Sequence, residues 1–150
     1  MKEELRDDFL ITIFQLKNVI NGKFSGSAGR RFSLNEIMIL QGVRQGKTLG
    51  EIQDELSVSK SAISQCLTSL EKKETITRQI DLVDRRQVVI TLTDLGQKEF
   101  KEAKVRFNKY FDDFIEEMTE ENLYELLPLL NKMINILNNL STGFSSDDGE

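Results

Sequence analysis

"DLVDRRQVVITLTDLG", residues 81–96, places two aspartates near two arginines, runs through β-branched residues and closes on a helix-start signal. β-branched residues flank a polar break at Asp84 and Arg85, a pattern that reads as a β-hairpin with strands over 75–82 and 86–92. Thr93 is placed to cap a helix over about 94–118. The stretch therefore sets Arg85 and Arg86 side by side at a hairpin tip, in a chain whose net charge is −5.

Upstream, three helices announce their own starts. Ser33 with Glu36 in "SLNE" is a capping box that opens "LNEIMILQGV". Thr48 with Glu51 in "TLGE" is a second capping box, opening the short helix "LGEIQDEL". Ser59 is the N-cap expected for "KSAISQCLTSLEKK". A short helix, a tight turn at Ser57 and Val58 and a second helix make a helix-turn-helix pattern. One side of the second helix carries Ala62, Ile63, Cys66, Leu67 and Leu70. The other carries Lys60, Ser61, Ser64, Gln65 and Thr68, which are polar and mostly short.

Further out lie longer apolar-striped segments. Leu5, Phe9, Ile13, Leu16 and Ile20 recur at three- and four-residue steps and predict a helix over 4–21. "NGKFSGSAG" is expected to break it at Gly22, Gly26 and Gly29. Phe100, Ala103, Phe107, Phe111, Phe114 and Met118 stripe the helix after the hairpin. Leu123, Leu126, Leu127, Leu130, Ile134 and Leu137 stripe a last helix over about 120–140, which Pro128 should bend. The tail "STGFSSDDGE" reads as disordered. The first and last helices are expected to pack together and against a second copy of the chain, because neither end buries its stripe alone. The domains expected are 1–32, an N-terminal dimerisation helix and loop; 33–95, the helix-turn-helix and hairpin module; 96–140, C-terminal dimerisation helices; and 141–150, the tail.

Composition bounds the chemistry. The 150 residues are 39% hydrophobic and 30% charged, ordinary values for a globular chain. No apolar run approaches the ~18 residues of a membrane span, so no membrane partner is expected. The single Cys66 forbids an internal disulfide and fits a reducing cytoplasm. With no His, the commonest general base and metal ligand are missing, and no phosphate-binding Gly loop appears. The expectation is a non-enzyme with no cofactor and no metal.

Charge distribution decides more than the sum. Residues 30–95 hold 10 Lys+Arg and 9 Asp+Glu, while the rest of the chain holds 10 and 16. The acid therefore lies mainly outside the middle, which is permissive for DNA. B-DNA's major groove accepts one α-helix, and a helix-turn-helix supplies one propped by its predecessor. Short polar side chains allow close approach to phosphates and base edges. An arginine-bearing hairpin tip beside that helix can reach an adjacent minor groove. Asp84 is placed to hold one of the two guanidiniums in a bidentate fork.

At these residues the sequence resembles the multiple-antibiotic-resistance regulator (MarR) family. "DRRQVVITLTDLG", residues 84–96, is similar to that family's wing signature, with Asp84, Arg86, Leu92, Thr93 and Gly96 matching position by position. "LSVSKSAISQCLTSLEKKETITR" resembles its recognition helix and the strand that follows. The resemblance implies a mainly α fold with a small β-hairpin wing: a winged helix-turn-helix whose N- and C-terminal helices form a dimerisation lobe. It implies a homodimeric transcription factor on a near-palindromic operator in double-stranded DNA, often a repressor, often released by a small-molecule effector or by thiol oxidation. Carried over, Arg86 is the minor-groove arginine and Asp84 its orienter. Ser59, Lys60, Ser61, Ser64, Gln65 and Thr68 would face the major groove or its phosphates. Two positions depart from the family. Glu74 stands where Gly usually ends the recognition helix, so the left-handed C-cap is expected to be lost or altered. Gln65 stands where a basic residue is common.

Plainer readings exist for each feature. Arg85 and Arg86 can be a solvated turn, and the polar helix side a wet surface. Cys66, on the apolar side of its helix, reads as a small core residue rather than a redox sensor. The phenylalanine stripe reads as core or interface before ligand pocket. "DDFIEEMTEEN" reads as a solvated face rather than a metal site. The rival functions are a winged helix used as a protein–protein module, and an enzyme using the acidic helix. The expectation is a dimeric winged helix-turn-helix regulator whose recognition helices sit about 34 Å apart, one turn of B-DNA.

Overall fold

The two capping boxes form as their spacing requires. Ser33 Oγ accepts from the Glu36 N–H at 3.2 Å, and Glu36 Oε2 accepts from the Ser33 N–H at 2.9 Å. Thr48 and Glu51 repeat the exchange at 3.1 and 2.9 Å. Each pair satisfies two donors that a helix start leaves open. In the computed structural model, which describes residues 1–24 and 31–140, the order is α1 (Lys2–Phe24), α2 (Leu34–Arg44), α3 (Leu49–Leu56), α4 (Lys60–Lys72), β1 (Ile76–Ile80), β2 (Val88–Leu92), α5 (Asp94–Met118) and α6 (Glu120–Asn139).

Five helices follow the sequence reading closely, and α1 and the strands depart from it. Helix α1 runs past Gly22 to Phe24, because one glycine weakens a helix without ending it. The strands are shorter than expected. They pair antiparallel from Ile76 with Leu92 to Ile80 with Val88, leaving Arg86 in the tip rather than in a strand. Pro128 lies inside α6 as read from the sequence. The expected loop at Gly26 and Gly29 and the tail 141–150 fall outside the described residues.

The chain divides into two units, Met1–Val105 and Arg106–Glu150. In the first, the buried apolar side chains run from Phe32 to Ala103: Ile39, Leu40, Ile52, Leu70 and Phe100 are the most enclosed, joined by Ile63, Leu67, Ile76 and Leu92. Buried side chains of α2, α3, α4 and the hairpin meet there, and Phe100 brings in the start of α5. Two glycines permit this closeness. A Cβ on Gly42 would lie 2.6 Å from the Ile52 side chain, so α2 and α3 touch where only a hydrogen fits. A Cβ on Gly96 would lie 1.9 Å from the Thr75 carbonyl oxygen. Backbone meets backbone there, which sets where α5 leaves the hairpin. Helix α1 has no buried residue, and Leu5, Phe14 and Val19 are more than half exposed.

In the second unit, Phe107, Tyr110, Phe111 and Phe114 form a chain of ring contacts along α5, with centroids 4.6 to 6.2 Å apart. Thr119 Oγ1 caps α6 through the Asn122 N–H at 3.4 Å. No residue of α6 is buried. Among the described residues no helix is long and apolar enough to cross a membrane, and no three His, Cys, Asp or Glu side chains gather as a metal site would need.

Candidate nucleic-acid interface

Helix α4 is positioned from both ends. At its start, Ser57 ends α3 in the left-handed region with φ 52°, and the Val58 N–H closes back on the Gln53 carbonyl at 3.2 Å. That reversal is tight enough to start α4 at once. Ser59 Oγ accepts from the Ala62 N–H at 3.1 Å, with Ser61 Oγ 3.1 Å away. At its end, Glu74 adopts φ 58°. The Glu74 N–H donates to the Glu71 carbonyl at 2.9 Å, and the Thr75 N–H to the Leu70 carbonyl at 3.1 Å. This pair of bonds is the ordinary closure around a left-handed residue. The expected loss of that cap is therefore wrong: Glu74 takes the glycine's conformation, held by these bonds and by Thr93 Oγ1, which donates to the Glu74 carbonyl at 2.7 Å.

Between those ends α4 divides as the sequence indicates. Ile63, Leu67 and Leu70 are buried, and Ser59, Lys60, Ser61, Ser64, Gln65 and Thr68 are all exposed. Thr68 Oγ1 donates to the Ser64 carbonyl at 3.0 Å and accepts from the Arg78 guanidinium at 3.4 Å. Arg78 also pairs with Glu71. This arginine, from β1, joins the polar side of α4 to the hairpin. The sequence reading passed it over. The available signal was a lone cation inside a β-branched strand directly after the helix-turn-helix.

The tip spans residues 81–87 and is shaped by two carboxylates. The Asp81 N–H donates to the Gln87 carbonyl at 2.9 Å, and the Gln87 N–H to the Asp84 carbonyl at 3.0 Å. Asp81 Oδ1 accepts from the Val83 N–H at 2.9 Å, and Asp84 Oδ1 from the Arg86 N–H at 3.1 Å. Such aspartate-to-backbone bonds fix a turn two residues on. Asp84 thus acts on the backbone of Arg86, not through the guanidinium fork expected from the sequence. Arg85 and Arg86 are both exposed.

A polar network fastens the end of α4 to α2 and α5. Lys73 Nζ donates to both carboxylate oxygens of Glu36, at 2.9 and 2.7 Å. Arg31 donates to the Lys73 carbonyl at 3.0 Å and to Glu99 of α5 at 2.7 Å. Cys66 is half-buried beside this region. Burial pushes its thiol pKa up, the Glu36 carboxylate pushes the same way, and Lys73 opposes them. A raised pKa favours the protonated thiol over the nucleophilic thiolate.

Comparison with known proteins agrees with this geometry. Residues 32–88 match the family model described as "MarR family". The chain is 23% identical over 133 residues to the "Uncharacterized HTH-type transcriptional regulator YdgJ" of Bacillus subtilis (strain 168), covering 89% of this chain and 81% of that one. A MarR/EmrR family transcriptional regulator from Acinetobacter sp. ADP1 superposes with a TM-score of 0.76 at 24% identity, covering 91% and 99% of the two chains. The S. aureus MepR–DNA complex gives 0.72 at 20% identity, covering 85% and 96%. The structural likenesses fix the fold, and the family model fixes the segment. The chain has the winged helix-turn-helix fold of the MarR-family structures it resembles, and residues 32–88 are similar to that family of transcription regulators.

Proposed function

We propose that this chain is a homodimeric, sequence-specific DNA-binding regulator, a repressor of a near-palindromic operator that a small-molecule effector modulates. The observation that carries the reading is the bridge from Arg78 to Thr68, which joins the polar face of α4 to the arginine-tipped hairpin. Lys60, Ser61, Ser64, Gln65 and Thr68 enter the major groove, and Ser59 lies over the adjoining phosphates. Arg85 and Arg86 reach the flanking minor groove, where narrow A·T-rich sections concentrate negative potential. Asp84 presents Arg86 by fixing its backbone. Arg78, on the inner side of the wing, adds a phosphate contact. MepR, of the same fold, has been solved with DNA. The effector rests on the family resemblance alone.

Residues 1–32 and 96–140 form the dimerisation lobe in this reading, around the winged module at 33–95, with 141–150 as a tail. The exposed apolar side chains of α1 and α6 support a second copy as their cover. The site of action is the cytoplasm.

The deciding experiment is a gel shift of the full chain on the DNA upstream of its own coding sequence, with scrambled duplex as competitor. A retarded band that survives the competitor is the expected result. Weak, salt-sensitive binding blind to sequence would instead favour a protein–protein module.

A further inference from the structure

Leu82 and Val83 are each 96% exposed, at the tip of the wing. Turn positions ordinarily carry polar or small residues. Here two adjacent aliphatic side chains stand in water between Asp81 and Asp84. Each flanking aspartate commits one carboxylate oxygen to the turn, Asp81 to the Val83 N–H and Asp84 to the Arg86 N–H. The exposed side chains from Leu82 to Gln87 include two aliphatic groups beside two guanidiniums, Arg85 and Arg86, with the Asp84 carboxylate turned in part to the backbone between them. The partner that fits is a polyanion with apolar surface set between its charges. The minor groove of DNA has that chemistry: deoxyribose C–H walls lie between two rows of phosphates, and aliphatic side chains in other proteins enter it.

We propose that Leu82 and Val83 pack against the sugar walls of the minor groove that the wing enters, supplying a part of DNA affinity that salt does not screen. The inference rests on the DNA-binding reading above and adds a role for two residues outside it. Phosphate contacts release counterions and give the affinity its salt dependence, whereas burial of aliphatic surface releases none. The two contributions are therefore separable in one titration series.

The test uses the full chain and a duplex that the unaltered chain selects from a random-sequence pool. The variant L82S/V83S should bind that duplex about tenfold more weakly, about 1.4 kcal/mol. Its slope of log affinity against log salt should equal that of the unaltered chain. Arg86→Ala should lower the slope by about 1. L82M/V83I, which keeps the apolar surface, should bind as the unaltered chain does. Equal affinity for L82S/V83S overturns the proposal. A loss accompanied by a shallower salt slope also overturns it, since the substitution would then act through the arginines. A loss traced to a smaller assembly mass in ultracentrifugation assigns the pair to a protein contact and overturns it as well. If the unaltered chain selects no duplex, the DNA-binding reading itself fails, a result seen before any substitution is made.

Discussion

Lys73 donates to both carboxylate oxygens of Glu36, and that carboxylate also accepts the Ser33 N–H at the start of α2. One side chain, 5% exposed, thus caps one helix and anchors the end of another. Removing it leaves Lys73 without its carboxylate and the Ser33 N–H without its acceptor, so only half of the capping box remains. Glu36→Ala should lower stability by about 3 kcal/mol. Urea unfolding followed by circular dichroism measures it, and a loss under about 1 kcal/mol would place the pair with ordinary surface contacts.

The approach of Gly96 to Thr75 predicts a larger effect from a smaller change. The methyl group of Gly96→Ala would meet the Thr75 carbonyl oxygen at 1.9 Å, so α5 and the backbone entering β1 must separate. A loss of about 3 kcal/mol or more is expected. Thermal unfolding checks it, and an unshifted midpoint would contradict the contact.

Glu74 predicts a gain. A residue with a Cβ at φ 58° carries a cost that glycine does not. Glu74→Gly should stabilise the chain by about 0.5–1 kcal/mol, read as a higher urea midpoint at unchanged m-value.

Asp84 and Arg86 separate presentation from contact. Arg86→Ala should cost about 1–3 kcal/mol in DNA affinity with unfolding unchanged. Asp84→Ala leaves both guanidiniums in place but frees the turn, so it should weaken binding less and leave the salt slope nearly as it was. Salt-matched anisotropy titrations distinguish the two, and identical salt slopes would show that Asp84 does more than hold the backbone.

Cys66 should react slowly with iodoacetamide at neutral pH and at full speed in denaturant. Its folded pKa is raised, mainly by burial. The sign of the pH effect follows: the stability linked to the protonated thiol is whole below the ordinary thiol range near about 8.5 and falls as pH rises through the raised folded value. A thiol that reacts equally fast in folded and unfolded chains would contradict this burial.

Helix starts were legible in the sequence because their signals are local. Ser33 with Glu36, Thr48 with Glu51, and Ser59 and Thr93 alone each lie within three residues of the N–H they satisfy. The polar face of α4 was legible for the same reason, since helical periodicity sorts it from Ile63, Leu67 and Leu70. The wing was legible in kind but not in extent. The apolar character continued to Leu82, while the chain had already turned at Asp81, whose side chain bonds the backbone two residues on. Arg31, Lys73 and Arg78 were not legible as a framework. Glu99 lies 68 residues from Arg31 and Glu36 lies 37 from Lys73, so no local pattern marks those pairs. Arg78 meets Thr68 only because the helix end reverses at Glu74, where composition suggested that it would not.

Arg31 grips two elements at once, the last carbonyl of the α4 cap at Lys73 and the carboxylate of Glu99 on α5. These are short, charge-assisted bonds with little slack. A tilt of α5 at Glu99 must either drag the tail of α4 along or tear one of them. The pitch of the polar helix is thereby geared to the helix that follows the wing, through a single guanidinium acting as the pin of a lever.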